Sequence, residues 1–416
     1  MSKKPVKIEL ERPRHACTCL LASHAGLKKR IIKSTLKEIR LLISMTLLLL
    51  CLSAVLRAAE DSKPHFGPYV QAVTPTGAVI CWVEGIAEVK IGTLPDQLET
   101  GARNYVRHDV VLENLKPATR YYYSVFQNQD KRGAGQFVTA PSGAAPFTFA
   151  VYGDSRTRPA IHRQIAERIA AAKPALVLHT GDFVARGRMT NEWGDFFDSA
   201  SSLIQTVPLY PALGNHEDDS PFYYQFFLLP GKKNYYSFDW GDVHFICLDS
   251  NPPYRAAGAF ASEEAYRRKT EEHWKTQQEW LIQDLVANRK AGFTIVYFHH
   301  PPYSTNTKRK ANQEEMQRIF ARILEKYQVD AVFSGHDHNY QHNLVNGVHY
   351  LVSGGGGAPL YDIEKGIPGV TLKLAQVEHY LLATVTPEKI AFEAMDLNGK
   401  QIDYFEISGK PRPASR

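Results

Sequence analysis

The sequence predicts an α/β domain preceded by a small all-β sandwich, and two observations carry that prediction. Beyond residue 147, apolar runs alternate with helical periodicities, and five of the runs end in Gly, Asp, Asn or His. Between residues 66 and 141, β-branched and aromatic runs are interrupted by Pro and Gly, with no amphipathic helix. At 416 residues the chain exceeds what one core usually holds, which favours a large domain with a smaller companion.

Residues 1–59 read as a basic flank followed by a leader. Residues 1–58 hold 12 Lys and Arg against 3 Asp and Glu, so the formal net charge of +6 becomes −3 over the remainder. The folded part therefore carries no nucleic-acid footprint. Leu41 to Leu56 is uncharged and 16 residues long, short for a bilayer span but suited to a secretory core region. The chain is expected to be secreted or periplasmic through a signal peptide at about 41–59, the alternative being an uncleaved anchor with an exported domain. Met45 is an alternative start. His15, Cys17, Cys19 and His24 fit no common zinc spacing. Cys81 and Cys247 lie in separate apolar runs and read as buried free thiols.

In the 66–141 region, Ala78 to Val83 and Tyr121 to Phe126 are the clearest strands, and a sandwich is the economical arrangement. Residues 142–146 form a linker, 147–408 the large domain including three C-terminal strands, and 409–416 a tail. Within the large domain, Ile161 to Ala171, Trp193 to Ile204 and Glu271 to Ala287 carry helical periodicity. Met316, Ile319, Phe320 and Ile323 give another helical stripe. Tyr235 to Phe238 and Val243 to Leu248 form a hairpin, and strands are expected at Tyr380 to Val385, Ile390 to Met395 and Ile402 to Ile407. Gly354 to Gly357 reads as a flexible turn beside the site. Asp249 to Lys269 and Tyr303 to Asn312 read as loops that set specificity, with Lys308-Arg309-Lys310 a solvated charge run.

Five apolar runs end in the residues that carry chemistry. They are Gly153-Asp154, Gly181-Asp182, Gly214-Asn215-His216-Glu217, His299-His300 and Gly335-His336-Asp337-His338. In α/β folds, sites collect outside the carboxyl ends of the strands. Carboxylate, amide oxygen and imidazole together suit a pair of first-row metal ions. His179, just before the second block, reads as a core residue.

In their order and spacing these blocks resemble the calcineurin-like metallophosphoesterase superfamily. Pro68-Tyr69-Val70-Gln71, Thr74 to Trp82, Leu115 to Tyr121 and Phe137 to Pro141 resemble the fibronectin type III-like domain of purple acid phosphatases, the closest branch. The resemblance spans roughly residues 66–408. It implies a fold of two β-sheets flanked by helices and a site holding two divalent or trivalent ions, Fe, Mn or Zn. Asp182 would bridge them, with Asp154 and His338 on the first and Asn215, His299 and His336 on the second. The reaction implied is hydrolysis of small phosphate esters by in-line attack of a metal-bound hydroxide. His216 would be the general acid or a donor to a phosphoryl oxygen, and His300 an outer donor or substrate contact. Arg186 resembles the phosphate-binding arginine of the Ser/Thr phosphatase branch, a surface arginine being the alternative, and Arg156, where the resemblance breaks, reads as a phosphate clamp.

Two departures stand out. Many superfamily members have a His donor at the position of Arg156, and purple acid phosphatases have a Tyr at that of Ala185. A guanidinium cannot ligate a metal. A phosphomonoesterase is the first reading; a phosphodiesterase and a degenerate domain serving as a binding module are the alternatives. A two-zinc hydrolase of another ester or amide is disfavoured because no His-x-His-x-Asp-His cluster is present.

Overall fold

The computed structural model describes residues 65–409, apart from 92–98, 128, 232–233 and 254–259. The leader, its cysteines and residues 410–416 lie outside the described residues. Among the described residues no helix is long and apolar enough to cross a membrane.

Two sheets stacked face to face form the large domain. The first has six strands: β6 (Phe147–Tyr152), β7 (Leu176–His179) and β8 (Leu209–Pro211) are parallel. Strands β16 (His379–Val385), β17 (Lys389–Asp396) and β18 (Gln401–Ser408) extend it antiparallel beyond β6. The second has seven, in the order β15 (Thr371–Ala375), β13 (Tyr340–Val345), β14 (Val348–Ser353), β12 (Ala331–Ser334), β11 (Phe293–Tyr297), β10 (Val243–Cys247), β9 (Tyr236–Trp240). β10, β11, β12 and β14 are parallel, and β9 forms the expected hairpin with β10.

Unbroken apolar runs make sense in such sheets because both faces are covered. Phe149 and Val151 point into the layer between the sheets, while Ala150 and Tyr152 of the same strand point outward. The outward pair meets helices α1 (Pro159–Ala172) and α2 (Thr190–Ile204) through Ile165, Ile169 and Leu203. Strand β11 behaves likewise: Ile295 and Tyr297 face inward, and Val296 packs under Trp274 and Leu281 of a long helix and under Phe320. Phe149 meets Phe245 of the opposite sheet edge-on, with ring centroids 5.3 Å apart. Cys81 and Cys247 are free and buried.

The N-terminal strands form a three-stranded sheet, β1 (His65–Gln71), β2 (Ala78–Ile91) and β3 (Glu99–Leu112), and the pair β4 (Arg120–Gln127) and β5 (Asp130–Val138). Val70, Ile80 and Trp82 share a core with Val125 and Phe137. The other face, Phe66, Tyr69 and Val79, packs on Trp193, Phe196 and Phe197 of α2 and on the short helix α3 (Pro221–Phe226). Tyr69 Oη donates to Phe226 O at 2.9 Å and Tyr123 Oη to Gln205 O at 2.9 Å. The β region is thus locked onto the large domain, and the described residues form one compact unit.

Three loop readings are corrected. The long helix, α4 (Glu263–Ala287), begins eight residues before the apolar periodicity, because Ser262 Oγ accepts from Ala265 N at 3.1 Å and Glu263 and Glu264 suit its first turn. The expected loop to Lys269 is correspondingly shorter. A turn at Thr307–Arg309 leads into α5 (Lys310–Met316), so the second loop is shorter too. Gly354 to Gly357 is not a flexible turn. A Cβ at Gly356 would overlap Gly153 O, and one at Gly354 would overlap Asp337 O. The run is packed against the site loops because only glycine fits there.

Buried His244 on β10 lies 2.7 Å from both Asp239 Oδ1 and Asp284 Oδ2. Burial alone would lower its pKa, but the two carboxylates outweigh this and raise it to about 9. The imidazolium's stabilisation is therefore complete below the unfolded value near 6.5 and is lost as pH rises through about 9. Wild-type thermal stability is expected to fall by on the order of 2 kcal/mol between pH 6.5 and 10. His244→Gln should remove that slope, as followed by melting temperature against pH. A wild-type curve parallel to the variant's would refute the assignment.

Candidate metal centre

Each of the five blocks sits where a parallel strand ends, so the sheets deliver their side chains to one place. Asp154 follows β6, Asp182 follows β7, Asn215 follows β8, His299 follows β11 and His336 follows β12. The chain must turn sharply to do this. Asp154, Asp182 and His336 have φ of 54°, 58° and 69°, left-handed conformations that cost a non-glycine residue roughly 1–3 kcal/mol each. Gly181, at φ 98°, lies against Gly214 and His299, where a side chain would not fit.

Asp182 occupies the middle. Its Oδ1 is 3.3 Å from His299 Nε2 and accepts from His216 N at 3.0 Å, while its Oδ2 is 3.4 Å from Arg156 Nε. On one side, Asn215 Oδ1 and His336 Nδ1 lie 3.1 and 3.2 Å from His299 Nε2. On the other, Asp154 Oδ1 is 3.4 Å from His338 Nε2. Asp154 and Asp182 with His299, and His299 with His300 and His336, are the groups among the described residues whose donor atoms cluster tightly enough for an ion. The six residues expected as ligands are therefore brought together.

Backbone carbonyls set the imidazole tautomers. His299 Nδ1–H donates to Thr180 O at 2.8 Å and His338 Nδ1–H to Pro359 O at 2.7 Å, which leaves each Nε2 lone pair facing the site. His299 Nε2, Asp182 Oδ1 and Asn215 Oδ1 are then three acceptors with no proton among them. Asp154 Oδ1 is buried and has no hydrogen-bond partner. Orphaned acceptors of this kind are costly unless a cation satisfies them, so the donor set fits the pair of ions. Burial raises the Asp154 carboxyl, but the charges around it, the permanent Arg156 guanidinium among them, hold it down at about 2. Burial, then the neighbouring imidazoles and Arg309, keep His300 and His336 well below the ordinary histidine range. Both are neutral, as ligands must be.

His216 is one-third exposed, with Nδ1–H donating to Ala185 O at 2.8 Å and Nε2 3.8 Å from Asp182 Oδ2. His300 Nδ1 meets Ser250 Oγ at 2.8 Å, and its ring lies 4.4 Å from that of His336. Arg186 is not brought to the ions' position: its N and Nε donate to Glu192, and its side chain is 66% exposed. Arg309, expected to be solvated, instead donates to His336 O and to Asp337 Oδ1, which fixes the last ligand loop. His179 is core, against Tyr152 and Phe183.

Glu217 had no role in the sequence reading. Fully buried, it accepts from Asp182 N, Phe183 N and Gly214 N at 2.8–2.9 Å, tying two ligand loops together. Burial and the Asp182 charge push its carboxyl up to about 8, against the pull of these N–H groups. Its place two residues after Asn215 was visible, but its partners are 34 and 35 residues earlier.

Residues 147–340 match the model of the calcineurin-like phosphoesterase family. The chain is 30% identical over 251 residues to purple acid phosphatase 21 of Arabidopsis thaliana, covering 56% of this chain and 52% of that one. It is 26% identical over 336 residues to a phosphoenolpyruvate phosphatase of Allium cepa, covering 72% and 68%. The structure of a purple acid phosphatase from yellow lupin (Lupinus luteus) seeds shares the fold, with a TM-score of 0.66 at 17% identity, over 83% of this chain and 74% of that one. The chain spans about half the length of the first curated relatives it matches.

Proposed function

We propose that this protein is a metal-dependent phosphomonoesterase, a reading supported by the match of residues 147–340 to the calcineurin-like phosphoesterase family model. The carrying observation is that Asp182 lies between the His299–Asn215 acceptors on one side and the unpartnered Asp154 Oδ1 beside His338 on the other. Asp154, Asp182 and His338 would hold the first ion, and Asp182, Asn215, His299 and His336 the second. When bound, the ions supply Lewis acidity toward the phosphoryl oxygens and lower the pKa of the attacking water.

The chain's own residues do the rest. Glu217 and Arg309 hold the ligand loops, so the donors need no rearrangement when the ester arrives. His216 Nε2 faces the site from its exposed side and, when protonated, donates to the leaving alkoxide as the ester P–O bond breaks. His216→Ala is expected to lower kcat about 10²–10³-fold on alkyl phosphates, with a smaller loss on p-nitrophenyl phosphate, whose leaving group needs no proton. Equal losses on both would remove the acid role.

The function is tested with p-nitrophenyl phosphate and bis(p-nitrophenyl) phosphate, in the presence of manganese, iron or zinc and with a chelator. The monoester should turn over at least about tenfold faster, and the chelator should abolish it. Preferential cleavage of the diester would make the protein a phosphodiesterase. Turnover of neither would leave the binding-module reading, which Arg156 lying against Asp182 Oδ2 and His338 Nε2 favours. Our reading also takes residues 66–141 as fibronectin type III-like and the protein as exported, supported by the strand-rich N-terminal region and the Leu41 to Leu56 run.

A further inference from the structure

We propose that the Arg156 guanidinium is the resident cation of the first half-site, so that the two ions load in a fixed order. The second position fills tightly, and the first fills only by displacing Arg156. This rests on the metallophosphoesterase reading and deepens it.

The guanidinium lies against the atoms that would bind the first ion. Nε is 3.4 Å from Asp182 Oδ2 and one terminal nitrogen is 3.4 Å from His338 Nε2, while the other donates to Thr157 Oγ1 at 3.2 Å. The side chain is 13% exposed. Because Nδ1 of His338 is committed to Pro359 O, its Nε2 is an acceptor, so the guanidinium satisfies a lone pair otherwise available to a metal. It also neutralises part of the charge of Asp182. Asp154 Oδ1, 3.4 Å from the same His338 nitrogen, is left without a partner. The half-site is thus occupied in charge but short of one contact.

Of the second half-site's donors Arg156 touches Asp182 alone; Asn215 and His336 lie 3.1 and 3.2 Å from His299, away from the guanidinium. A first ion must compete with a tethered cation that never deprotonates for both Asp182 Oδ2 and His338 Nε2, whereas a second ion meets that competition only through the shared Asp182. The guanidinium has somewhere to go. A cavity of about 440 Å³ adjoins it, lined by Thr157, Ala185, Glu192 and Asp195 among others. Ala185 leaves this wall open, and Asp195 can receive the displaced charge, Glu192 being already paired with Arg186.

The test is metal binding to the chelator-stripped full-length protein, by titration calorimetry and equilibrium dialysis with Mn²⁺ and Zn²⁺. The wild type should bind one equivalent tightly and a second at least about 100-fold more weakly. Arg156→Met and Arg156→Gln, both uncharged, should each narrow that gap to about tenfold or less. Folding of each variant is checked by its melting curve. Two wild-type equivalents within tenfold of each other would overturn the proposal without any variant. A gap that persists above tenfold in a folded variant would overturn it too. Failure of the phosphatase reading would show separately, as no ester turnover by protein loaded with two ions.

Discussion

Asp182→Asn is expected to lower kcat/KM for p-nitrophenyl phosphate by at least about 10³-fold, equivalent to roughly 4 kcal/mol of transition-state stabilisation. The substitution keeps the shape and the His216 N–H contact but removes the charge. That charge faces both half-sites: Oδ1 lies 3.3 Å from His299 Nε2 and Oδ2 3.4 Å from Arg156. Two cations held close together repel strongly, and one shared anion is what makes the pair tolerable. An amide also leaves the nearly buried Arg156 beside Asp182 without its compensating charge. Metal content should fall below one equivalent, as measured by elemental analysis after dialysis. A variant keeping both ions, or more than about a tenth of its activity, would contradict the bridging role.

Glu217→Ala should produce the largest loss of stability. Four backbone N–H groups, those of Asp182, Phe183, Val184 and Gly214, would lose their acceptor at a buried position. Each unsatisfied group costs about 1–3 kcal/mol, so a loss on the order of 4 kcal/mol is expected, a large share of an ordinary protein's stability. Glu217→Gln provides the graded control. Asp182 N and Gly214 N share Oε2, while Phe183 N and Val184 N share Oε1. Gln retains one oxygen and so strands only part of the set, and its cost should be about half. Denaturant unfolding measures both, and metal titration should show weakened binding in step. If Ala and Gln cost the same small amount, Glu217 is not the clamp between the loops.

Much of the centre was legible from residue order. Continuous apolar runs such as Phe147 to Tyr152 and Phe293 to Phe298 mark strands covered on both faces, and a side chain following such a strand emerges at the sheet's end. Asp154, Asp182, Asn215, His299 and His336 could be read in this way. Helix α4 was only half legible, because its first eight residues, Glu263 to Thr270, depend on a cap and charge pairs rather than an apolar stripe.

Arg309 and Arg186 show where local reading fails. Both are arginines near the site in sequence, one in a basic run and one in the loop after a ligand. The fold turns Arg309 inward onto His336 O and Asp337, and pairs Arg186 with Glu192 at the surface. Hydrophobic period and strand-end chemistry are properties of a few neighbouring residues, so the sequence by itself determined the α/β alternation and which side chains stand at strand ends, while the two-sheet arrangement was an expectation from the family resemblance. The carbonyls that set the histidine tautomers, the carboxylate that ties two loops, and the guanidinium lying on Asp182 come from partners 21 to 182 residues away. Only the packing of the sheets brings them together, so only the tertiary structure decided how the centre is held and charged.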